Sequence, residues 1–152
     1  RLPPYQRGGD MISNVTFDKT TFQAPPHKFE AGTQAIAEVI GLHGAIDYIN
    51  KLGILKIAEH EQALLNYATL QLQTIAGLTI IGHAKDKAPI IAFTLTNIHP
   101  HDIATALDRE GIAIRSGQLC AQPAIERFGL KAVARASFGL YNTADEIDYL
   151  AN

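Results

Sequence analysis

The sequence predicts an α+β fold, or α/β sandwich, in which helices cover one face of a short sheet. Apolar residues recur every three or four positions over 36–52 and again over 57–75, a spacing that predicts two long helices. Short extended runs and further helical segments then alternate to the end of the chain. With 47% hydrophobic and 18% charged residues, the chain has enough apolar side chains for a core between these layers.

Turn-forming residues dominate the first 35 positions, where Val15–Phe17 has the alternation of a short strand. We expect the apolar faces of both long helices to be buried in the core, and Gly77 is well placed to end the second helix. The extended runs predict four strands, at 78–81, 90–95, 112–114 and 133–140. Three shorter helices are predicted from Pro100 to about Glu110, over 124–128, and after the capping-box sequence Thr143–Glu146.

Charge and cysteine usage exclude several classes of function. A formal net charge of -2 provides no basic surface for nucleic acid or an anionic membrane, and no apolar run has the length of a membrane span. Cys120 is the only cysteine and cannot form an internal disulfide, which favours a reducing, cytoplasmic location. The chain starts at Arg1, has its one methionine at Met11 and stops soon after the last helix begins, so we expect it to be part of a longer protein.

The densest chemical signal lies between Ala113 and Pro123, around Cys120. The reactive form of cysteine is the thiolate, which nearby cations and helix amino termini favour. Arg115 lies at the end of a predicted strand upstream, and a predicted helix begins just downstream. Cys120 is therefore a candidate nucleophile, although the spacing alone supports a buried cysteine that acts as a small apolar residue equally well.

Four segments of the chain, in order and at matching spacing, resemble one family. The loop Arg115-Ser-Gly-Gln-Leu-Cys-Ala-Gln-Pro123 resembles the active-site cysteine loop of SUF-type cysteine desulfurases, a group that includes selenocysteine lyases. The other three segments are similar to the chain that follows the cofactor lysine, to the phosphate-contacting segment and to the substrate-carboxylate strand: Leu2–Ile12, Phe29–Thr33 and Arg135–Thr143. The resemblance implies the carboxy-terminal part of a class V aminotransferase of fold type I, with a short antiparallel sheet covered by helices.

The resemblance assigns roles to four residues. Cys120 would attack the sulfur of cofactor-bound cysteine, become a persulfide and release alanine. Arg135 would bind the substrate carboxylate through its planar guanidinium, the alternative being a surface ion pair. Gly32 and Thr33 would contact the phosphate of pyridoxal 5'-phosphate in the neighbouring subunit of a homodimer. Without the resemblance, the same Gly-Thr pair is typical of a turn that caps the following helix.

The chain departs from the family pattern in two places. Leu119 stands where many relatives have histidine, which leaves the acid–base partner of Cys120 open. The lysine that binds the cofactor in the family lies upstream of residue 1, and Lys28 is rejected for that role because it directly precedes the phosphate segment. His99 and His101 have no companion ligands at metal-binding spacing, so we expect no metal site.

The resemblance also implies a domain organisation and a function. Residues 1–40 would be a remnant of the large cofactor-binding domain, and residues 41–152 would form the small carboxy-terminal domain, inactive by itself. The parent would be a homodimeric enzyme that passes sulfur from L-cysteine to an acceptor protein for iron–sulfur cluster assembly. Two alternatives stay open: a selenocysteine lyase or other class V enzyme, which would use L-selenocysteine, and a non-catalytic dimerisation or docking module.

Overall fold

The computed structural model describes residues 2–152, which form two compact units. The first unit extends to Lys51 and the second runs from Leu52 to Asn152. The assignment of residues 1–40 and 41–152 to two different domains of a larger enzyme stays a prediction.

The first unit contains a small hairpin and most of a long helix. Strands β1 (Ile12–Val15) and β2 (Thr20–Phe22) pair antiparallel, a 3₁₀ turn follows at His27–Phe29, and helix α1 spans Ile36–Leu52. The strand predicted at Val15–Phe17 is wrong in its bounds. Thr16 turns the chain there, since both its backbone N–H and its hydroxyl donate to the carbonyl of Lys19.

The second unit is a four-stranded antiparallel sheet with helices packed against it. Its elements are α2 (Ile54–Gln73), β3 (Leu78–Ile81), β4 (Ile90–Leu95), α3 (Pro100–Arg109), β5 (Arg115–Gly117), α4 (Gln122–Arg127), β6 (Val133–Ser137) and α5 (Ala144–Ala151). The strands lie in the order β3-β4-β6-β5, and every neighbouring pair is antiparallel. The predicted α+β fold, a short antiparallel sheet covered by helices, is confirmed.

Alternate residues of the strands build the core of the second unit. Strand side chains such as Ile80, Ile91 and Phe93 are buried in one cluster with apolar residues of α2, α3 and α5. Leu65 and Leu72 supply the α2 part of this cluster, which confirms the predicted apolar face of the second long helix. Burying a side chain of this kind contributes about 1.5–3 kcal/mol, so this cluster is the main source of stability in residues 52–152.

The apolar face of α1 is exposed, so the prediction that it belongs to the core is wrong for the described residues. Val39 and Ile40 are 63% and 66% exposed, and none of the helix's residues is buried. The buried cluster of the second unit is already filled by α2, α3 and α5. Periodicity shows which residues of a helix are apolar, and it does not show what covers them.

Two further local predictions were wrong. The third strand lies at β5, three residues beyond the predicted 112–114, because Arg115 and its two successors pair with β6, whereas the N–H of Ile112 donates back to Leu107. Helix α2 ends at Gln73, and Gly77, with φ +81°, lies in the turn before β3.

The predicted capping box of the last helix is confirmed. The hydroxyl of Thr143 accepts from the N–H of Glu146, whose carboxylate accepts from the N–H of Thr143.

Candidate active site

One row of side chains crosses the sheet on the face opposite to the buried cluster. Cα pairing aligns Ile81 with Ala92, Ala92 with Arg135, and Arg135 with Arg115. Successive residues of a strand point to opposite faces, so Arg135 lies away from its buried neighbours in β6, Ala134 and Ala136. The alternation that fills the core therefore also places an arginine in the middle of the opposite face.

Arg135 is the most unusual polar group of this face. Its side-chain Nε atom is buried and has no hydrogen-bond partner within residues 2–152. Leaving a buried donor unpaired costs about 1–3 kcal/mol, and more for a charged group, so such a donor requires an explanation. The ion pairs of the described residues involve His27 and His43, so no carboxylate neutralises Arg135 and the alternative of a surface ion pair is wrong.

Arg115 adds a second positive charge beside Arg135. Directly opposed residues of an antiparallel pair hold their Cβ atoms about 4.5–5.5 Å apart on the same face, and like charges in that position repel. Arg115 is exposed and, like Arg135, forms no ion pair within residues 2–152. Two adjacent unpaired guanidinium groups are suited to binding an anion such as a carboxylate.

A cavity of about 240 Å³ lies over this face of the sheet. Arg135 is the one charged residue in its lining, and the other lining side chains are apolar. They come from the sheet row, from α4 and its following residues, and from both sides of Cys120: Ile81, Ala92, Leu119, Ala121, Ala124, Ile125, Phe128 and Val133. The sequence alone did not indicate this lining: alternation along β6 leads from Arg135 to Val133, whereas Ala92 and Ile81 follow only from the strand pairing.

Cys120 lies in a tight turn at the edge of this cavity. The N–H of Ala121 donates to the carbonyl of Gln118 at 2.9 Å, and the two central residues of the turn, Leu119 and Cys120, have φ values of +54° and +57°. Two consecutive positive φ values are the pattern of a type I′ turn, which glycine and asparagine normally occupy. Cys120 is exposed, so the alternative of a buried structural cysteine is wrong.

Gly32 and Thr33 lie in the first unit, in a loop that the hairpin region supports. The carbonyl of Gly9 accepts from the N–H of Gly32 at 2.9 Å and from the N–H of Met11 at 2.8 Å. A Cβ on Gly8 would stand 3.3 Å from the Gly32 nitrogen, so glycine permits this close approach. The first unit thus joins the segments Leu2–Ile12 and Phe29–Thr33, and the second unit joins the Cys120 loop and the Arg135 strand.

Lys28, which was rejected as the cofactor lysine, and His99, which was rejected as a metal ligand, both form local hydrogen bonds. The Nζ atom of Lys28 donates to the carbonyl of Leu2 at 2.8 Å and lies 5.2 Å from the centre of the Phe29 ring. His99 caps α3, because its Nδ1 accepts from the N–H of His101. Among residues 2–152 no group of three or more histidine, cysteine, aspartate or glutamate side chains is placed to hold a metal ion.

The family of the chain follows from comparison with known proteins. The family model described as aminotransferase class-V matches residues 1–150. The chain belongs to the aminotransferase class-V family. The predicted membership is confirmed over nearly the whole length of the chain.

The chain is similar to several cysteine desulfurases. It is 48% identical over 151 residues to a protein of Mycobacterium leprae named "probable cysteine desulfurase 1", and 47% identical over 148 residues to a cysteine desulfurase of Synechococcus elongatus. The alignments cover 99% and 97% of this chain, and 25% and 24% of those relatives. Among solved structures, the cysteine desulfurase CsdA of Escherichia coli in its S-sulfonic acid form superposes with a TM-score of 0.87 at 35% identity, over 99% of this chain and 37% of that one.

This class V chain therefore spans about a quarter to a third of the length of the relatives it matches. None of the helices within residues 2–152 has the length and apolar composition needed to cross a membrane.

Proposed function

We propose that the chain is the carboxy-terminal part of a pyridoxal-phosphate-dependent cysteine desulfurase, in which Cys120 accepts sulfur from L-cysteine. The observation that carries this proposal is the cavity in which the unpaired Nε of Arg135 and the residues flanking Cys120 meet. The substrate cysteine has a carboxylate that Arg135 could bind and a sulfur atom that Cys120 could attack. The relatives named cysteine desulfurase support the same activity.

Arg135 would bind and orient the substrate through its carboxylate. A carboxylate oxygen supplies the acceptor that the buried Nε lacks, and a charge-assisted pair is strongest where water is excluded. Arg115, at the facing position of β5, would add positive potential without entering the cavity lining. Because the rest of the lining is apolar, the carboxylate would form its ion pair with Arg135 alone, and this single contact point would orient the substrate.

Cys120 would be the sulfur acceptor. Its thiolate attacks the substrate sulfur, so that an S–S bond forms while the C–S bond of the substrate breaks. The electron pair of the broken bond passes to the carbon, which takes up a proton and leaves as alanine, and the sulfur stays on Cys120 as a persulfide. The exposed turn position suits this role, because a persulfide must then be reached by the next sulfur acceptor.

The first unit fits the phosphate end of the cofactor. The hydroxyl of Thr33 is exposed and has no hydrogen-bond partner within residues 2–152. A Cβ at Gly32, where φ is +85°, would meet nothing within 4 Å, so the backbone is open to an approaching group. The N–H of Gly32 is already donated to Gly9, so we assign the phosphate hydrogen bond to Thr33 and the close approach to Gly32. When bound, pyridoxal phosphate supplies the electron sink that makes C–S cleavage possible.

The wider biological setting is part of the same proposal. The enzyme would be a cytoplasmic homodimer in which Thr33 serves the neighbouring subunit's cofactor. Its persulfide would pass to an acceptor protein that supplies iron–sulfur cluster assembly. The lysine that holds the cofactor would come from a part of the protein outside residues 1–152, as the family resemblance implies, and Lys28 donates instead to the carbonyl of Leu2.

The test is to locate the transferred sulfur. In the full-length, cofactor-loaded protein, L-cysteine is added, thiols are alkylated and the peptides are analysed by mass spectrometry. We expect one extra sulfur on the peptide that contains Cys120, and we expect Cys120→Ala to abolish alanine release from cysteine. The proposal fails if alanine is released at the normal rate while Cys120 stays unmodified.

A further inference from the structure

Leu119 adopts a backbone conformation that is unfavourable for leucine. Its φ of +54° lies in the left-handed region, where a Cβ crowds the following carbonyl oxygen. Asparagine or glycine is the usual residue at this position of such a turn. A leucine persists there only if its surroundings compensate the strain, and strained backbone of this kind is concentrated at functional sites.

Leu119 lines the cavity of the candidate site. It is half-buried and shares this lining with Arg135, Ile125, Phe128 and Val133. Its two neighbours in the turn, Gln118 and Cys120, are exposed and do not line the cavity. Of the two central residues of the turn, Leu119 therefore borders the cavity of the residue that we assign to the substrate carboxylate, and Cys120 does not.

We propose that Leu119 is a positioning residue for sulfur transfer. Its side chain, on the wall of the cavity that Arg135 also lines, holds the Gln118–Ala121 turn so that the sulfur of Cys120 meets the substrate that Arg135 orients. This inference rests on the function proposed above. It gives the residue that replaces the histidine of many relatives a mechanical role in place of proton transfer.

Three substitutions of Leu119 distinguish the effect of losing its apolar side chain from the effect of backbone strain. Leu119→Asn and Leu119→Gly tolerate a positive φ and so preserve the turn, but both remove the apolar anchor. Leu119→Met keeps an apolar side chain of similar volume. Arg127→Ala changes an exposed residue at the end of α4, outside the turn and the cavity lining, and is the control.

The measurement is the rate of persulfide formation on Cys120 in the full-length, cofactor-loaded protein. We expect Leu119→Asn and Leu119→Gly to lower this rate roughly tenfold or more, because small displacements of reacting groups are costly. We expect KM for cysteine to change by less than about twofold, since Arg135 is retained. Leu119→Met and Arg127→Ala should keep the wild-type rate within about twofold.

A second measurement excludes loss of the thiol or of the fold. In the cofactor-free protein, the rate at which iodoacetamide alkylates Cys120 and the unfolding temperature should be the same in all five proteins. Normal persulfide rates in the Asn and Gly variants would overturn the inference. A higher KM in these variants with an unchanged persulfide rate at saturating cysteine would also overturn it. So would a fall in the alkylation rate of Cys120 as large as the fall in the persulfide rate.

These outcomes are distinguishable from failure of the proposed function. If the wild-type protein never forms a persulfide on Cys120, the function itself is wrong. If the wild-type protein forms it and the Asn and Gly variants form it equally fast, only the role of Leu119 is wrong.

Discussion

Arg135 is the residue in which the structure departs most from ordinary packing. A fold gains nothing from a buried, unpaired guanidinium nitrogen opposite a second arginine, because both the unmade hydrogen bond and the like charge are unfavourable. Cys120 shows the same departure in its backbone, with a positive φ that a cysteine rarely adopts. Each is costly in the isolated chain, and under the proposed function both would serve a substrate that has a carboxylate and a sulfur atom.

Replacement of Arg135 should therefore affect substrate binding in the full-length enzyme. We expect Arg135→Ala to raise KM for cysteine roughly 10- to 100-fold, which corresponds to loss of a hydrogen bond to a charged group. Arg135→Lys should recover little of this, because lysine has a point charge and no planar fork. Steady-state kinetics give both values.

The control for Arg135 is Arg127→Ala, which removes an exposed arginine at the end of α4 outside the cavity lining. It should leave KM unchanged. An Arg135→Ala enzyme with wild-type KM and kcat would remove this residue from the site.

The start of α5 is the most densely hydrogen-bonded helix end in the second unit. The side chain of Asn142 accepts from the N–H of Gly139 at 2.8 Å and donates to Glu146 at 3.0 Å, and the capping box of Thr143 and Glu146 completes the network. The hydrogen bond from Asn142, followed by that from the Thr143 backbone, holds the pKa of Glu146 below its usual value of 4.5. The carboxylate of Glu146 therefore favours the folded state only while it is ionised.

The stability of the protein should consequently depend on pH through Glu146. A carboxyl group whose pKa is lower in the folded state stabilises the fold above its unfolded pKa, and this contribution is lost as pH falls through the folded pKa. We expect the unfolding temperature to decrease below pH 4.5, and less steeply in Glu146→Gln than in the wild type. Thermal unfolding followed by circular dichroism between pH 3 and pH 6 measures this difference.

Glu59→Gln is the matched control, because Glu59 is exposed on α2 and its side chain has no hydrogen-bond partner within residues 2–152. It should keep the wild-type pH dependence. Equal slopes for Glu146→Gln and the wild type would show that the capping network contributes nothing that depends on ionisation.

At the scale of the whole molecule, nearly all of the buried apolar side chains lie in the second unit. The buried cluster of α2, α3, α5 and the sheet lies entirely within residues 52–152, whereas residues 2–51 contribute Met11 as their one buried side chain. The second unit also has the tie between α2 and α5 in which Tyr67 donates to Asp148 at 2.6 Å. A chain with this core has what it needs to fold, but under the proposed function the lysine that binds the cofactor lies outside residues 1–152.

The 152-residue chain by itself should therefore fold and be inactive. We expect cooperative thermal unfolding, and no alanine after incubation with pyridoxal phosphate and L-cysteine, because no electron sink is held. Borohydride reduction followed by mass spectrometry should find no cofactor adduct on Lys28.

The full-length protein under the same conditions is the positive control. Alanine production by the short chain, together with an adduct on Lys28, would contradict both the inactivity and the rejection of that lysine.

The sequence determined the elements and the chemical identity of the site residues. Strands 78–81 and 90–95 were predicted to the residue, since β-branched and apolar runs between turn formers are local signals. Cys120, Arg135, Gly32 and Thr33 were predicted as site residues from the family resemblance, and their roles stay predictions. The strand expected at 112–114 failed because β5 is defined by its pairing with β6, a contact between residues twenty positions apart.

The tertiary structure alone decided what lies next to what. That Arg135 and Leu119 share one cavity depends on the register of four strands and on the turn before α4, neither of which any local pattern encodes. The exposure of α1 was likewise not encoded in its periodicity, which identifies an apolar face and not what surrounds it. The physical reason is that periodicity reports the chemistry of one face of one element, whereas a site and a core are made where faces from distant parts of the chain meet.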